Sequence, residues 1–433
     1  MSGVAPAAEG ASPGRGPLSV VVVIAQYPPH HKGGYELRCR DVCRELARRG
    51  HRVTVLTSRV GARGVEDDQG VRVVRELHLG PDGVANGTKS LIDFVTASGA
   101  DCRRLRRELR RGKANVLSYW HQAGLTSALL GVRPPRGCGI LCDVSSDWLL
   151  DAATTGGNWF RIWEKPASTG AKRAAKAVLR VLAGLFLRVP VRRPKFPPGR
   201  AYFTSADRKR RYLDDAVAVE DAALIRSGIH LDLFSFRAER DATGPRRVLF
   251  LSRIKRWKGL HTSIVALSYL PEDVHLEVVG AVDDPEYLAE VGELVRATKV
   301  SHRVRVKDQI PHTEVPDTIR GAHALVFGSE KPEPFSRLVL EAFACGTPVV
   351  GTTIGGTGEV LIEGETGLTY QPGNARELAD QLTRVLRDAA LQDRLVANAR
   401  HLVETRYALG FTVTQIEALL REAHAKANAA PAG

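Results

Sequence analysis

Apolar positions along this chain follow two alternating periods. Short β-branched runs at 18–25 and 53–57 flank a segment, 35–49, whose apolar residues recur every three or four positions and which stops at Gly50. A short continuous apolar run reads as a strand buried on both faces, and a strand–helix–strand alternation as βαβ units around a parallel sheet. The pattern continues with a basic helix at 101–111 and strands at 114–119, 139–144, 201–205 and 222–226. Periodicity lapses at 228–245, where Asp, Arg, Thr, Gly and Pro cluster, and this marks a domain boundary. The alternation then restarts, with strands at 247–252, 274–280, 303–307, 324–328 and 348–351. Helices are expected between them at about 259–269, 285–298, 313–321 and 336–345, and helical patterns at about 375–387, 389–405 and 411–426 close the chain. The predicted fold class is α/β, two doubly wound Rossmann-like domains at 18–230 and 231–410 facing a central cleft. A disordered tail is expected at 1–17 before them, and a closing helix at 411–433 is expected to cross back to the first domain. Such sheets bind ligands beyond the carboxyl ends of their strands.

Composition sharpens this picture in few places. The 433 residues suit two or three domains at roughly 100–200 residues each. With 43% hydrophobic and 25% charged residues, wholesale disorder is excluded. The net charge of +14 is concentrated: Arg161 to Arg211 holds fifteen Lys or Arg against Glu164 and Asp207. Elsewhere the chain is nearly neutral, so a protein that coats nucleic acid along its whole length is not expected. Six cysteines, at 39, 43, 102, 138, 142 and 345, form no C-x-x-C pair and no tight framework, which fits a reducing, cytoplasmic setting. The longest apolar stretch, 178–191, is interrupted by Arg180 and Arg188, too early for a membrane span. Arg15 followed by 18–25 loosely mimics a signal peptide, but the run is short and β-branched, and Gln26-Tyr27-Pro28-Pro29 is no small-residue cleavage site.

Chemistry concentrates in GSEKPEPFSRLVLEAFACGTPVV, from Gly328 to Val350. A strand delivers Glu330 and Glu333 in a loop that opens a helix, and the free amides of a helix start attract anions. Glu341 sits on an otherwise apolar helix, where a buried carboxylate needs a partner such as a sugar hydroxyl; a capped or solvated Glu is the competing reading. Arg253 and Lys258 follow the strand at 247–252, placed to meet a diphosphate, although Lys255 and Arg256 beside them make solvated surface an alternative. Gly33-Gly34-Tyr35-Glu36 lets backbone approach a ligand at a helix start but does not match G-x-G-x-x-G. His121 ends another strand, as catalytic candidate or packed side chain. Gly355-Gly356-Thr357-Gly358-Glu359 reads as an anion nest or tight turn.

Together these motifs resemble the retaining nucleotide-sugar glycosyltransferases of family 4, with GT-B architecture, over nearly the whole chain from about Leu18 to Arg406. Glu333 and Glu341 match that family's E-x7-E spacing. The resemblance implies that Glu333 contacts donor-sugar hydroxyls, that Glu341 contacts the ribose, and that Arg253 and Lys258 meet the diphosphate. It also implies that Ser336, Arg337 and Leu338 offer backbone amides to the diphosphate, that Gly33 and Gly34 line the cleft, and that His121 lies near the reacting centre. Two departures stand out: Ser336 replaces the usual Gly after E-P-F, and Arg226-Ser-Gly-Ile-His-Leu-Asp232 replaces P-N-G-x-D. The implied reaction transfers a hexosyl unit from a nucleoside-diphosphate sugar, a substrate, to a hydroxyl or amine of a small-molecule, glycan or lipid-linked acceptor with retained configuration. No cofactor and no metal are expected, since no D-x-D motif is evident.

The basic segment at about 161–211 places Ala174, Val178, Leu182, Leu185 and Phe186 near one helical face, among Lys172, Arg173, Lys176 and Arg180. One reading puts this helix on an anionic membrane surface at the inner membrane face, or makes it a dock for a lipid-linked or anionic acceptor. Another packs its apolar stripe against its own domain. A sugar-nucleotide epimerase on the same scaffold and a nucleic-acid-binding protein are weaker alternatives to the transferase.

Overall fold

The computed structural model describes residues 16–31, 33–80, 91–155, 157–164, 166, 168–219, 221–237 and 244–429. Most of the expected tail at 1–17 and part of the boundary at 228–245 lie outside them. The chain divides into two compact units, the first comprising 1–203, 209–223 and 413–433 and the second 204–208 and 224–412.

The first unit is built on β1 (Ser19–Val23), β2 (Arg52–Ser58), β3 (Gly64–Asp68), β4 (Val71–Leu77), β5 (Val116–Tyr119), β6 (Gly139–Val144), β7 (Arg200–Phe203) and β8 (Ala223–Leu224). They form one sheet in the order β3-β4-β2-β1-β5-β6-β7-β8. From β4 to β7 every pair is parallel, and the chain steps outward from β1 before returning to β5, the doubly wound pattern. All five residues of β1 are buried, as a strand covered on both faces requires. Its helices are α1 (Gly34–Arg48), α2 (Leu91–Arg111), α3 (Trp148–Thr155), α4 (Gly157–Glu164), α5 (Gly170–Leu185) and α6 (Ala206–Asp214), the last beginning in the second unit.

Sequence reading missed the β3–β4 hairpin because β3 exposes Glu66 and Asp67 and β4 carries Arg72 and Arg75 among its valines. Arg75 is nevertheless buried: it pairs with Glu66 at 2.7 Å and donates to the Tyr27 and Pro28 carbonyls at 2.9 and 2.6 Å. The span at 161–211 is also too wide for an insert. Strand β7 lies within the sheet, and α4 buries Trp159, Phe160 and Trp163, leaving α5 and the loop after it.

The second unit contains β9 (Arg246–Leu251), β10 (Val274–Val279), β11 (Val304–Lys307), β12 (Ala324–Phe327), β13 (Val349–Gly351) and β14 (Leu368–Thr369). The order β11-β10-β9-β12-β13-β14 is wholly parallel. Helices α7 (Leu260–Leu267), α8 (Pro285–Ala297), α9 (Val315–Arg320), α10 (Arg337–Cys345), α11 (Ala375–Arg387) and α12 (Ala389–Arg406) cover it, and α13 (Leu409–Ala429) follows. Alternation along β9 feeds two cores: Val248 and Phe250 pack with Ile264 and Leu267, whereas Leu249 packs with Val339 and Phe343. The part of α13 from Val413 belongs to the first unit, where Glu417 meets Arg49 at 3.3 Å and Glu422 meets Arg200 at 2.7 Å.

All six cysteines are buried and unbridged. Burial pushes the Cys102, Cys138 and Cys345 thiols up to about 12.

Candidate functional site

In a doubly wound sheet the two central strands send their chains to opposite sides, and the loops at their carboxyl ends are left side by side. In the second unit these are β9 and β12. The loop after β9 carries Arg253, passes through a 3-10 turn at Arg256–Lys258 and reaches Gly259 at φ 75°. A Cβ at Gly259 would lie 2.2 Å from the Gly328 carbonyl oxygen, so only glycine lets the two loops meet backbone to backbone. The Glu330 amide donates to the Trp257 carbonyl at 2.8 Å across the same junction.

That junction brings two of the candidate residues together. Lys258 Nζ stands 2.5 Å from Glu333 Oε1, with the side chains 14% and 16% exposed. The Ser329 hydroxyl donates to the same oxygen, and the ammonium lies 4.5 Å from the centre of the Trp257 ring. Glu333 is fixed from behind as well: its carbonyl accepts the Gly356 amide at 2.8 Å. A Cβ at Gly356 would lie 2.1 Å from the Pro334 carbonyl oxygen and 2.7 Å from the Ser205 Cβ. The glycine-rich run 355–358 is therefore a tight turn that carries the Glu333 loop. Glu359, directly after the run, accepts from the Ala206 amide at 2.6 Å and from Arg226 Nη2 at 2.6 Å.

The Glu333 loop opens directly into α10. Ser336 is its N-cap, accepting the Val339 amide at 3.4 Å. This gives a role to the departure from glycine, because the hydroxyl turns into the helix. The amides of Arg337 and Leu338 lie ahead of the first intrahelical bond, at the positive end of the helix dipole. Glu341, one turn on, is buried, and its Oε1 lies 3.6 Å from Arg337 Nε. The partner predicted for this carboxylate thus includes a guanidinium of its own helix.

Arg253 has a partner of its own. Its Nη1 meets Asp283 at 2.9 Å, Lys255 meets the same carboxylate at 3.0 Å, and the Arg253 side chain is 38% exposed. Beside this pair lies a hollow of about 400 Å³ lined by Lys255, Arg256, Trp257, Asp283, Asp284, Pro285 and Glu286. Sequence reasoning missed a neighbouring network: His261 Nε2 meets Glu330 at 3.0 Å, and its Nδ1 meets the Tyr287 hydroxyl at 2.9 Å. It also missed Tyr370, whose buried hydroxyl has no hydrogen-bond partner among the described residues. The separation of these residues in sequence left no local signal.

In the first unit the central strands are β1 and β5. The loop after β1, held by Arg75, leads to Gly33, whose amide donates to Glu36 Oε2 at 3.1 Å at the start of α1. Gly33 is extended at φ −177°, and a Cβ there would meet nothing within 4 Å, so neither conformation nor packing demands glycine at this position. Gly34 is the first residue of α1. His121 follows β5; its ring stacks on Tyr35 at 5.2 Å, and Nδ1 lies 2.7 Å from the Ser146 hydroxyl. Burial lowers the imidazole pKa to about 4 despite the opposing charge of Asp143, so the ring is neutral near pH 7. Below it, Arg38 of α1 pairs with Asp143 at the end of β6, both fully buried. The guanidinium lies 4.9 Å from the Trp120 ring centre and 5.7 Å from that of Tyr202. The visible clue to this pair was an arginine on the apolar face of α1.

Residues 32–181 match the family model for Glycosyltransferase Family 4, and residues 234–402 match that for Glycosyl transferases group 1. Among curated proteins, the glycogen synthase of Mycobacterium tuberculosis is 34% identical over 183 residues, covering 42% of this chain and 43% of that protein. The phosphatidyl-myo-inositol mannosyltransferase of Mycobacterium leprae is 31% identical over 218 residues, covering 49% and 56%. The chain therefore spans about half the length of the curated relatives it matches. Among solved structures, HepE of Anabaena in complex with UDP-glucose is similar with a TM-score of 0.68 at 17% identity, covering 94% of this chain and 100% of that one. Sucrose-phosphate synthase of Thermosynechococcus elongatus gives 0.68 at 22% identity with the same coverage. One family match falls in each doubly wound unit, and the E-x7-E pair lies within the second, so the chain belongs to the family 4 glycosyltransferases of GT-B fold.

Proposed function

We propose that this chain transfers a hexosyl unit from a nucleoside-diphosphate sugar to a hydroxyl or amine of its acceptor, with retention at the anomeric carbon. The second unit would bind the donor and the first the acceptor. One observation carries this reading: Lys258 and Glu333 meet at 2.5 Å where the amide-bearing start of α10 opens, with Glu341 one turn further in. A cation and helix-start amides suit a diphosphate, and carboxylates held nearby suit the hydroxyls of a sugar and a ribose.

As the bond from the anomeric carbon to the phosphate oxygen breaks, negative charge grows on the leaving diphosphate and positive charge on the sugar ring. Lys258 and the amides of Arg337 and Leu338 would stabilise the first, and Glu333 would hold the sugar in place. The acceptor oxygen or nitrogen bonds to the same face of that carbon, and its proton departs with the diphosphate. Arg253 would exchange Asp283 for a phosphate oxygen when the donor arrives. His121, neutral and anchored by Tyr35 and Ser146, would act as a hydrogen-bonding group rather than a cation. Support from outside the chain comes from its family and from HepE, whose structure holds UDP-glucose.

A panel of nucleotide sugars tested by thermal shift checks the reading. The matching donor raises Tm, Glu341→Ala erases the rise, and free nucleoside diphosphate accumulates substantially faster with acceptor than without it. Failure of every nucleotide sugar to move Tm, or turnover that ignores acceptor, overturns it.

A further inference from the structure

Helix α5 is assembled inside out. At 3.6 residues per turn, Ala174, Val178, Val181, Leu182, Leu185 and Phe186 share an arc of roughly 140°. This arc faces solvent: Val178 is 59% exposed, Val181 55%, Leu182 43%, Leu185 70% and Phe186 76%. The buried residue of the helix is Ala183, on the other side. The alternative that the apolar stripe packs on its own domain is therefore overturned. The attachment lies at the carboxyl end, where the Val189 amide donates to the Ala183 carbonyl at 3.0 Å and Val189 is buried. Arg106 donates to the Arg188 carbonyl at 2.6 Å, and Trp159 Nε1 to the Pro190 carbonyl at 2.5 Å.

A contiguous row of large apolar side chains in water marks a surface that something covers. Charge identifies the occupant. Lys172, Arg173 and Arg180 are exposed on the flanks and far side of the same helix, in a segment with fifteen Lys or Arg against two acids. A second copy of the chain would bring these cations against their own equivalents, at a repulsive cost. An anionic lipid surface offers phosphates to the cations and an acyl boundary to the arc, the arrangement of a helix lying in the plane of an interface. Among the described residues no helix is long and apolar enough to cross a membrane.

We infer that α5 is a docking surface for an anionic bilayer, with Val178, Val181, Leu182, Leu185 and Phe186 sunk at the acyl boundary and Lys172, Arg173 and Arg180 at the headgroups. The full chain is floated with vesicles of phosphatidylcholine and phosphatidylglycerol at roughly seven to three, or of phosphatidylcholine alone. The wild-type chain binds the first at least about tenfold more tightly, and salt at about 0.5 M weakens that binding. Leu185→Asp with Phe186→Asp lowers anionic-vesicle affinity at least about tenfold, and Lys172→Glu with Arg173→Glu and Arg180→Glu abolishes the preference for anionic lipid. Both variants keep the wild-type Tm, which shows that they fold. Equal binding to both vesicle types, no flotation, or undiminished binding by the Leu185/Phe186 variant overturns the inference. A wild-type dimer that this variant converts to monomer assigns the face to a second copy and overturns it too.

Discussion

Replacing Lys258 by Gln tests the site at its centre. The ammonium and the Glu333 carboxylate are 2.5 Å apart and about six-sevenths buried, so their attraction at an effective dielectric constant of about 20 is roughly 7 kcal/mol before desolvation. Desolvating both groups cancels most of this. The variant leaves Glu333 largely buried with the Ser329 hydroxyl on its Oε1. Fully buried pairs lose about 3–5 kcal/mol when one partner is removed, and the residual exposure and the serine reduce this to about 2 kcal/mol. Urea unfolding of Lys258→Gln, Glu333→Gln and the double variant should give a coupling energy of about 1–3 kcal/mol. The same Lys258→Gln chain, assayed with its donor, should lose about 10²–10³-fold in kcat/KM if, as proposed, the missing charge stabilises the leaving group. A coupling below about 0.5 kcal/mol refutes the ion pair. Activity within about threefold of wild type refutes the role of Lys258 at the diphosphate.

Gly356→Ala places a methyl group against the Pro334 carbonyl, so the Glu333 loop must shift; thermal shift should record lost donor binding and a destabilisation of about 2 kcal/mol. Arg38→Met strands the fully buried Asp143 carboxylate, and chemical denaturation should show a loss of about 3–5 kcal/mol that Arg38→Met with Asp143→Asn partly restores. Because the His121 pKa falls from 6.5 to about 4 on folding, the unfolded chain takes up the proton first as pH drops. The His121 contribution is therefore constant above about pH 6.5 and falls by up to about 3 kcal/mol between about 6.5 and 4. The stability difference between wild type and His121→Phe, followed across that range, should change accordingly, and a flat difference refutes the buried neutral imidazole.

The second unit was the more legible half of the sequence. Strands β12 and β13 are short unbroken apolar runs, helices α9 and α10 stop at Gly321 and Gly346, and the Glu333–Glu341 spacing survives as loop and helix; among the described strands of this unit the two-residue β14 escaped, being too short to show a period. In the first unit, β3 and β4 were hidden by charges that find partners only across the hairpin, as Arg75 does with Glu66. Helix α2 begins ten residues before its basic portion, and the apolar start was not recognised as part of it. Pairings between distant residues were out of reach. Arg253 with Asp283 and Arg38 with Asp143 depend on which strand ends become neighbours, and sheet order is a property of the whole domain. Lys258 and Glu333 stand out by motif, yet their direct contact follows from Gly259 and Gly328 allowing two loops to touch.

The six sequestered sulfurs have a practical corollary. A thiol shielded from solvent reacts slowly with maleimide or iodoacetamide reagents. One cysteine introduced at position 186 in place of Phe186 would consequently be the fast-labelling group on the folded chain, and a polarity-sensitive fluorophore attached there would shift its emission according to whether α5 rests in water or in lipid, with no native cysteine needing removal first.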